Sequence, residues 1–380
     1  MQTDLITSLD RVNAADWNRL VPDAYPFLRH EFLNALETEG CLHQRSGWHP
    51  QHVVCRNPQG QLLGAVPLYL KDNSFGEFVF DWSWANAYHQ HGRAYYPKLV
   101  AAIPFTPATG PRLLLPSGPQ RDRVATALIR YCRQLVHDQG GSSLHCLFPH
   151  PDQRTYWQQA GLMTRVGCQF HWHNRGYPSF DDFLGELVSK RRKNIRRERK
   201  LVNTSRLQLV TRHGCELNAE DWLWFHRFYC NTFHQRGNFP ALTLEFFRRL
   251  GECLGEQVVV MMAFMDHQVV AAALSYVSHD TLYGRHWGCA ADFDSLHFEL
   301  CYYQGIEYCI RHGITHFEPG AQGEHKIWRG FLPTLTYSAH WLADPQFNTA
   351  VADFLARETP AVHTYIEQLQ QHNPYRDASG

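Results

Sequence analysis

The strongest constraint on the fold is an internal repeat. The stretch from Val53 to Tyr69 and the stretch from Val259 to Tyr276 both have the pattern of a strand, a polar turn and a second strand. A polar break follows each stretch and leads into a predicted aromatic strand, Phe75 to Trp84 in the first half and Thr281 to Trp287 in the second. A three-strand meander is therefore expected twice.

The second part of the repeat is a helix followed by a strand. Ile129 to Cys132 matches Ile306 to Cys309, and each stretch lies late in a predicted helix that ends near a glycine, which can adopt the left-handed cap. The strands expected next are Ser143 to Phe148 and Ile314 to Glu318. Repeated strands and helices of this kind predict an α/β protein.

The repeat places a domain boundary near residue 178, which gives residues 1–178 and 179–380. The first half carries additional chain from about residue 85 to 115, rich in Tyr, Pro and Gly, which is a candidate lid or substrate loop. Residues 180–202 predict a linker helix, and almost every residue from 190 to 200 is basic.

Composition limits the partners and the compartment. Lys plus Arg equals Asp plus Glu, 36 each, so an affinity for nucleic acid or an anionic membrane has to be local. The first residues do not form a signal peptide, and no apolar run is long enough to span a bilayer. The 11 cysteines lack paired spacing, which favours a cytoplasmic location.

Three stretches carry a family resemblance: Ile103 to Arg112, Lys190 to Glu198, and Phe317 to Lys326 with Arg329-Gly330-Phe331 beyond it. Through them the chain resembles the Fem-like branch of the GNAT acyltransferase superfamily, in particular the bacterial FemAB-like proteins described as predicted N-acyltransferases or peptidoglycan biosynthesis/recognition proteins. The resemblance implies two tandem GNAT-like domains with mixed sheets flanked by helices. It also implies transfer of an acyl or aminoacyl group from acyl-coenzyme A or aminoacyl-tRNA to an amine acceptor.

The loop from Glu318 to Lys326 is the first candidate site. Acyl transfer to an amine needs a base for the amine proton and donors for the developing oxyanion. Glu318 or His325 is the expected base, and Lys326 is expected to hold a phosphate or carboxylate. Gln322 and Glu324 add polar groups, and two glycines let the backbone approach a ligand. The alternative is a capped turn whose charges face solvent.

The neighbouring strand and helix supply three further candidates. Arg285 is expected to clamp an anion and Trp287 to stack on the substrate, whereas the alternative for Trp287 is core packing. Tyr302 is expected to protonate a leaving group. Its alternative is a packing residue with a hydrated hydroxyl.

In the first half, Asp81, Trp82 and Phe105 are expected to form the wall of an aromatic pocket. Arg192 belongs to the basic helix of residues 190–200, which is expected to contact the phosphates of tRNA, a nucleotide-linked precursor or a lipid head group. A solvated linker helix is the alternative.

The donor stays open at the level of sequence. The turn from Gly288 to Ser295 contains two aspartates that would repel phosphate, which departs from the glycine-rich turn that holds coenzyme A in GNAT enzymes. The His89–His91 and His171–His173 pairs lack a third ligand at standard spacing, so no metal site is expected.

The sequence thus predicts an N-acyltransferase whose second half is catalytic. The first half and the basic helix would hold the acceptor, a cell-wall precursor, another small molecule or a peptide. The rival prediction is a non-catalytic protein on a duplicated GNAT scaffold that recognises a peptidoglycan-like or phosphorylated ligand.

Overall fold

The computed structural model of the chain describes residues 1–321 and 323–376. Its strands are β1 (Gln2–Ile6), β2 (Trp48–Pro50), β3 (His52–Arg56), β4 (Leu62–Val66), β5 (Leu68–Lys71), β6 (Lys98–Ala101), β7 (Ser143–Leu147), β8 (Met163–His173), β9 (Gln208–His213), β10 (Val258–Met265), β11 (Gln268–Val277), β12 (Thr281–Cys289), β13 (His316–Glu318) and β14 (Leu332–Leu342). Its helices are α1 (Ala14–Asn18), α2 (His30–Thr38), α3 (Trp82–Gln90), α4 (Arg121–Asp138), α5 (Arg154–Gln159), α6 (Phe180–Glu186), α7 (Ser189–Asn203), α8 (Ala219–Gln235), α9 (Leu244–Leu254), α10 (Leu296–Phe298), α11 (Gln304–His312) and α12 (Pro345–Gln370). Residues Glu299–Tyr303, between α10 and α11, form a π-helical turn.

The chain forms two compact units. The first comprises residues 1–168 and 335–365, and the second comprises residues 169–334 with the end of the chain from residue 366. The division predicted at residue 178 is contiguous, whereas the first unit also includes residues 335–365. Each unit combines parallel and antiparallel strands with flanking helices, and the expected fold class of two tandem GNAT-like α/β units is confirmed.

In the first unit β5 pairs antiparallel with β2 and β6, and β6 pairs parallel with β7, which also pairs antiparallel with β14. A separate sheet contains β1, β3 and β4 in the order β1-β3-β4. Helix α4 connects the parallel strands β6 and β7. Its apolar residues recur every three or four positions, and this face, which includes Val124, Leu128 and Val136, packs in the core against the strands.

In the second unit β9, β10, β11 and β12 form an antiparallel series, and β12 then pairs parallel with β13. Strand β13 also pairs antiparallel with the end of β8. The connection from β12 to β13 runs through α10, the π-helical turn and α11. This order matches β5, β6, α4 and β7 of the first unit, so the repeat is present in the structure.

The third strand of the first meander was predicted in the wrong place. Phe75 to Trp84 contains no strand, and the strand that corresponds to β12 is β6. Two acidic residues of this stretch, Glu77 and Asp81, turn inward to Lys98, while Phe78, Phe80 and Trp82 are exposed, so the stretch has no apolar inner face of the kind a core strand needs. Pro67 also divides the preceding predicted strand into β4 and β5, which lie in different sheets.

The segment from residue 85 to 115 is not a lid. Strand β6 runs through its middle, and nearly all residues from 99 to 115 are buried. The predicted helix over residues 180–202 is in fact two helices, α6 and α7. The break occurs where Val188 donates its N–H to the Pro374 carbonyl, 2.9 Å away, instead of continuing the helix.

Candidate functional site

A wedge opens between β12 and the chain that leaves β13. The two strands pair only from Thr281 to Tyr283 on β12 and from His316 to Glu318 on β13. Beyond this point β12 continues to Cys289, while the other chain turns away at Pro319. Gly284 allows the close approach at the turning point, since a Cβ there would lie 3.3 Å from Phe317 and Pro319. The loop from Glu318 to Lys326 begins at this wedge.

Tyr302 and His325, both predicted site residues, are brought together. The Tyr302 hydroxyl lies 3.0 Å from His325 Nε2. Burial raises the pKa of Tyr302, so its hydroxyl stays protonated at neutral pH. Burial, with the nearby cations Arg329 and Lys326, lowers the pKa of His325, so its imidazole is neutral at pH 7. A protonated phenol is therefore hydrogen bonded to a neutral imidazole.

The π-helical turn positions two consecutive tyrosines. A π turn contains one more residue than an α-helical turn, and such turns frequently occur at functional sites. Tyr302 faces His325, whereas the Tyr303 hydroxyl donates a short hydrogen bond to Glu198. Helical periodicity in the sequence gives no signal for this extra residue.

Lys326 points inward. It is 2% exposed, and its Nζ donates a 2.7 Å hydrogen bond to the Gly320 carbonyl, which ties the loop to itself. Burial lowers its pKa to about 7, so the charge of this amine changes near neutral pH. Glu318 and Arg285 are half-buried and Glu324 is exposed. Gln322 lies outside the described residues.

Arg329 holds this site together, although sequence reasoning gave it no role. Its guanidinium donates to the His325 carbonyl at 3.0 Å, to the Tyr303 hydroxyl at 3.0 Å and to Glu198 at 2.8 Å. It also lies over the Phe298 ring, 3.5 Å from the centroid. Glu198 is the only acidic residue between positions 190 and 200, and that exception was the available signal.

A second ion-pair group involves Arg199, the next residue of α7. Arg199 donates to Glu299 at 3.0 and 3.2 Å and to Glu307 at 2.9 and 3.1 Å. The Glu299 side chain is fully buried, and Gln304 donates to it at 2.8 Å. The inner face of α7 is thus bound to both ends of the π-helical turn.

A small open pocket lies beside Tyr302. Trp287, Cys289, Asp292, Phe293 and His297 are among its lining residues. The His297 ring contacts Trp287 and Tyr302 edge to face, with centroid separations of 5.4 and 5.5 Å. Burial lowers the pKa of His297 to about 4, so this ring is neutral. Trp287 is therefore half-buried at the pocket rather than in the core.

The outer face of α7 carries a basic stripe, formed by Lys190, Lys193, Arg197 and Lys200, which are spaced three or four residues apart and exposed. None of the four has an ion-pair partner among residues 1–321 and 323–376. Arg192, which was predicted to contact the phosphates of a ligand, is half-buried, and its side chain donates a hydrogen bond to the Gly185 carbonyl at 3.5 Å.

The predicted residues of the first unit do not form one pocket wall. Asp81 is buried and bonded to Lys98, Ser74 and Tyr95, so its oxygens face protein groups. Phe105 is buried against Trp48 and Phe75. Trp82 instead extends into solvent.

Two kinds of feature are absent from the described residues. No group of three or more His, Cys, Asp or Glu side chains there is arranged to hold a metal ion. In the same part of the chain no helix combines the length and apolar character that crossing a membrane requires.

The fold and the wedge define a tandem α/β protein of the GNAT type. The chain belongs to the FemAB-like family, since the family model described as peptidoglycan biosynthesis/recognition matches residues 8–377. Among curated proteins, none matches the chain.

Solved structures share the fold at low sequence identity. FemX is 9% identical, with a TM-score of 0.54 over 93% of this chain and 100% of that one. L-PGS from Bacillus licheniformis is 9% identical, with a TM-score of 0.51 over 85% of this chain and 92% of that one. A tandem GNAT protein from the clavulanic acid biosynthesis pathway is 12% identical, with a TM-score of 0.48 over 90% of this chain and 99% of that one.

Proposed function

We propose that this chain is an N-acyltransferase whose second unit moves an acyl or aminoacyl group to an amine acceptor. The observation that carries the proposal is the 3.0 Å contact between Tyr302 and His325, located beside the pocket and the wedge. Their opposite pKa shifts provide a proton donor and a proton acceptor at the same pH.

The reaction follows from these two groups. The amine nitrogen attacks the acyl carbonyl carbon, and the neutral His325 takes up the proton that the nitrogen loses. As the carbonyl reforms, the bond to the leaving oxygen or sulfur breaks and Tyr302 protonates that atom. The hydrogen bond between the two side chains then returns the proton from His325 to Tyr302, so no net proton is lost. Glu318 is the alternative base.

The charges near the site favour aminoacyl-tRNA over acyl-coenzyme A. The basic stripe of α7 offers four exposed cations to a phosphate backbone. The turn after β12, where coenzyme A pyrophosphate would lie in a GNAT fold, instead exposes Asp292 and Asp294. All 11 cysteines are free thiols, which agrees with the predicted cytoplasm, where tRNA donors occur.

The catalytic proposal is tested with purified protein, labelled aminoacyl-tRNA or acetyl-coenzyme A, and cell-wall precursor amines. Tyr302→Phe and His325→Asn should each lower kcat by about 100-fold or more, the usual contribution of one acid–base group. Tyr308→Phe is the matched control, because Tyr308 is also buried on the neighbouring helix but stacks on His312. If Tyr302→Phe and His325→Asn kept the same kcat as the Tyr308→Phe control, the assignment of Tyr302 and His325 as acid and base would be refuted.

Glu318→Gln separates the two candidate bases. If Glu318 is the base, this variant loses the acidic limb of the pH–rate profile while His325→Asn keeps it. If no donor supports turnover but a precursor raises the melting temperature, the rival reading as a binding protein is favoured. A shift with tRNA and none with coenzyme A supports the proposed donor.

A further inference from the structure

A short segment of the first unit, residues 77–82, points its side chains in two directions; we call it the aromatic loop. Phe78, Phe80 and Trp82 are 40, 56 and 52% exposed, whereas Glu77, which precedes them, and Asp81, which lies between Phe80 and Trp82, are buried. Three large apolar side chains exposed within five positions are unusual for a soluble surface and commonly mark a binding site.

The inner side of the aromatic loop is fixed. Lys98, which is fully buried, donates to Glu77 at 2.8 Å and makes a short ion pair with Asp81. Arg165 donates to the Phe80 carbonyl at 2.7 Å. The exposed rings are therefore carried on a rigid base, which lowers the ordering entropy that binding requires.

The backbone of the aromatic loop is strained at Phe78. Its φ of 60° lies in the left-handed region, which costs a non-glycine residue roughly 1–2 kcal/mol. The side chain it carries is exposed, so core packing does not offset that cost. A strained, exposed aromatic residue is consistent with a functional constraint rather than a folding one.

The groups beside the aromatic loop indicate an uncharged ligand. Helix α3 begins at Trp82, and its exposed face continues with the amide side chains of Asn86 and Gln90. Two arginines near these elements are paired within the protein: Arg165, which donates to Phe80, pairs with Glu358 at 2.7 Å, and Arg93, which lies just after α3, pairs with Asp344 at 2.9 Å. An anionic membrane surface would call for unpaired Lys or Arg beside the apolar groups.

We infer that the aromatic loop and the exposed face of α3 bind a neutral oligosaccharide. The apolar faces of sugar rings would stack on Phe80 and Trp82, and the amides of Asn86 and Gln90 would hydrogen bond the hydroxyl or acetamido groups. This site lies within the first unit and does not depend on acyl transfer by the second.

Isothermal titration of the full chain with chitotetraose and cellotetraose tests the inference. Binding of at least one sugar is expected, and Trp82→Ala and Phe80→Ala should weaken it by about tenfold or more, as for the loss of one buried aromatic contact. Trp328→Ala is the matched control, because Trp328 is 49% exposed in the second unit. Its affinity should equal that of the wild type.

Three results would overturn the inference. The first is the absence of binding by the wild type to either sugar at millimolar concentration, and the second is equal affinities in the Trp82 and Trp328 variants. The third is cosedimentation with phosphatidylglycerol vesicles that is lost in Trp82→Ala, which would identify a lipid surface as the partner. Unchanged circular dichroism and melting temperature of each variant exclude unfolding as the cause.

Discussion

Replacing Lys98 by methionine tests whether the charged cluster beneath the aromatic loop stabilises the first unit. Lys98, Glu77 and Asp81 are all buried, and Ser74 accepts a further hydrogen bond from Lys98 at 2.9 Å. Methionine keeps most of the side-chain volume and removes the charge. The variant therefore isolates the electrostatic contribution from the packing contribution.

The expected loss in unfolding free energy depends on whether Glu77 and Asp81 are charged or neutral once Lys98 is removed. Burial raises the pKa of Glu77 to about 7 even with Lys98 present, so Glu77 becomes neutral at little cost. Although burial raises the pKa of Asp81, the Lys98 ammonium lowers it to about 2, so Asp81 loses most when Lys98 is removed. Breaking one side of a buried pair costs about 3–5 kcal/mol, and we expect Lys98→Met to fall in that range.

The pH dependence has a definite sign. Without Lys98 we expect burial to raise the folded-state pKa of Asp81 above its unfolded value, so that the variant takes up a proton on folding. Its stability is therefore greatest at low pH and is lost as the pH rises through the folded pKa. The deficit against the wild type should grow from pH 5 to pH 8, by at most about 1.4 kcal/mol per pH unit.

Urea unfolding followed by tryptophan fluorescence measures this deficit. The exposed Lys190→Met variant should stay within about 0.5 kcal/mol of the wild type. Adding Asp81→Asn and Glu77→Gln to Lys98→Met should recover most of the loss, because no buried charge remains. A deficit under about 1 kcal/mol, or one that is equal at pH 5 and pH 8, would refute the reasoning.

Three further outcomes are expected. Arg329→Gln should lower kcat about tenfold with little change in KM, because Arg329 positions the His325 loop rather than touching substrate. Steady-state kinetics measure kcat and KM separately, and a change confined to KM would contradict this prediction. Charge reversal of the basic stripe should reduce the salt dependence of tRNA binding by about 0.9 per lost phosphate contact, measured by filter binding, and an unchanged slope would exclude the stripe. Burial lowers the pKa of His145 to about 3, so stability should be lost as the pH falls below about 6.5, and His145→Gln should flatten this loss in acid titrations of unfolding.

Local signals in the sequence mark the ends of several helices. Helix α9 begins where Thr243 accepts a hydrogen bond from the Phe246 N–H, and α11 ends where Gly313 adopts a positive φ of 68°. The break between α6 and α7 was missed because its cause, the carbonyl of Pro374, lies far along the chain. The third strand of the first meander was misplaced for a similar reason. Glu77 turns inward because it pairs with Lys98, which lies 21 positions further along the chain, and no local pattern indicates that contact.

The candidate site was predictable only in part. The loop from Glu318 to Lys326 was visible because its polar groups are contiguous, and Tyr302 was named as an acid on independent grounds. Their contact depends on the π-helical turn, which no periodicity reveals. The bond from Arg329 to Glu198 joins residues 131 positions apart, so only the fold brings them together.

Under the proposed function the two faces of α7 have separate roles. Its inner face uses Glu198 and Arg199 to bind Arg329 and both ends of the π-helical turn, while its outer face carries the basic stripe that we propose binds the donor. Because the inner contacts are charge-assisted hydrogen bonds in a largely buried setting, they hold the helix against the pull of a bound polyanion. A donor captured on the stripe would therefore be held at a fixed distance from Tyr302 and His325, and that fixed distance is what acyl transfer by positioning requires.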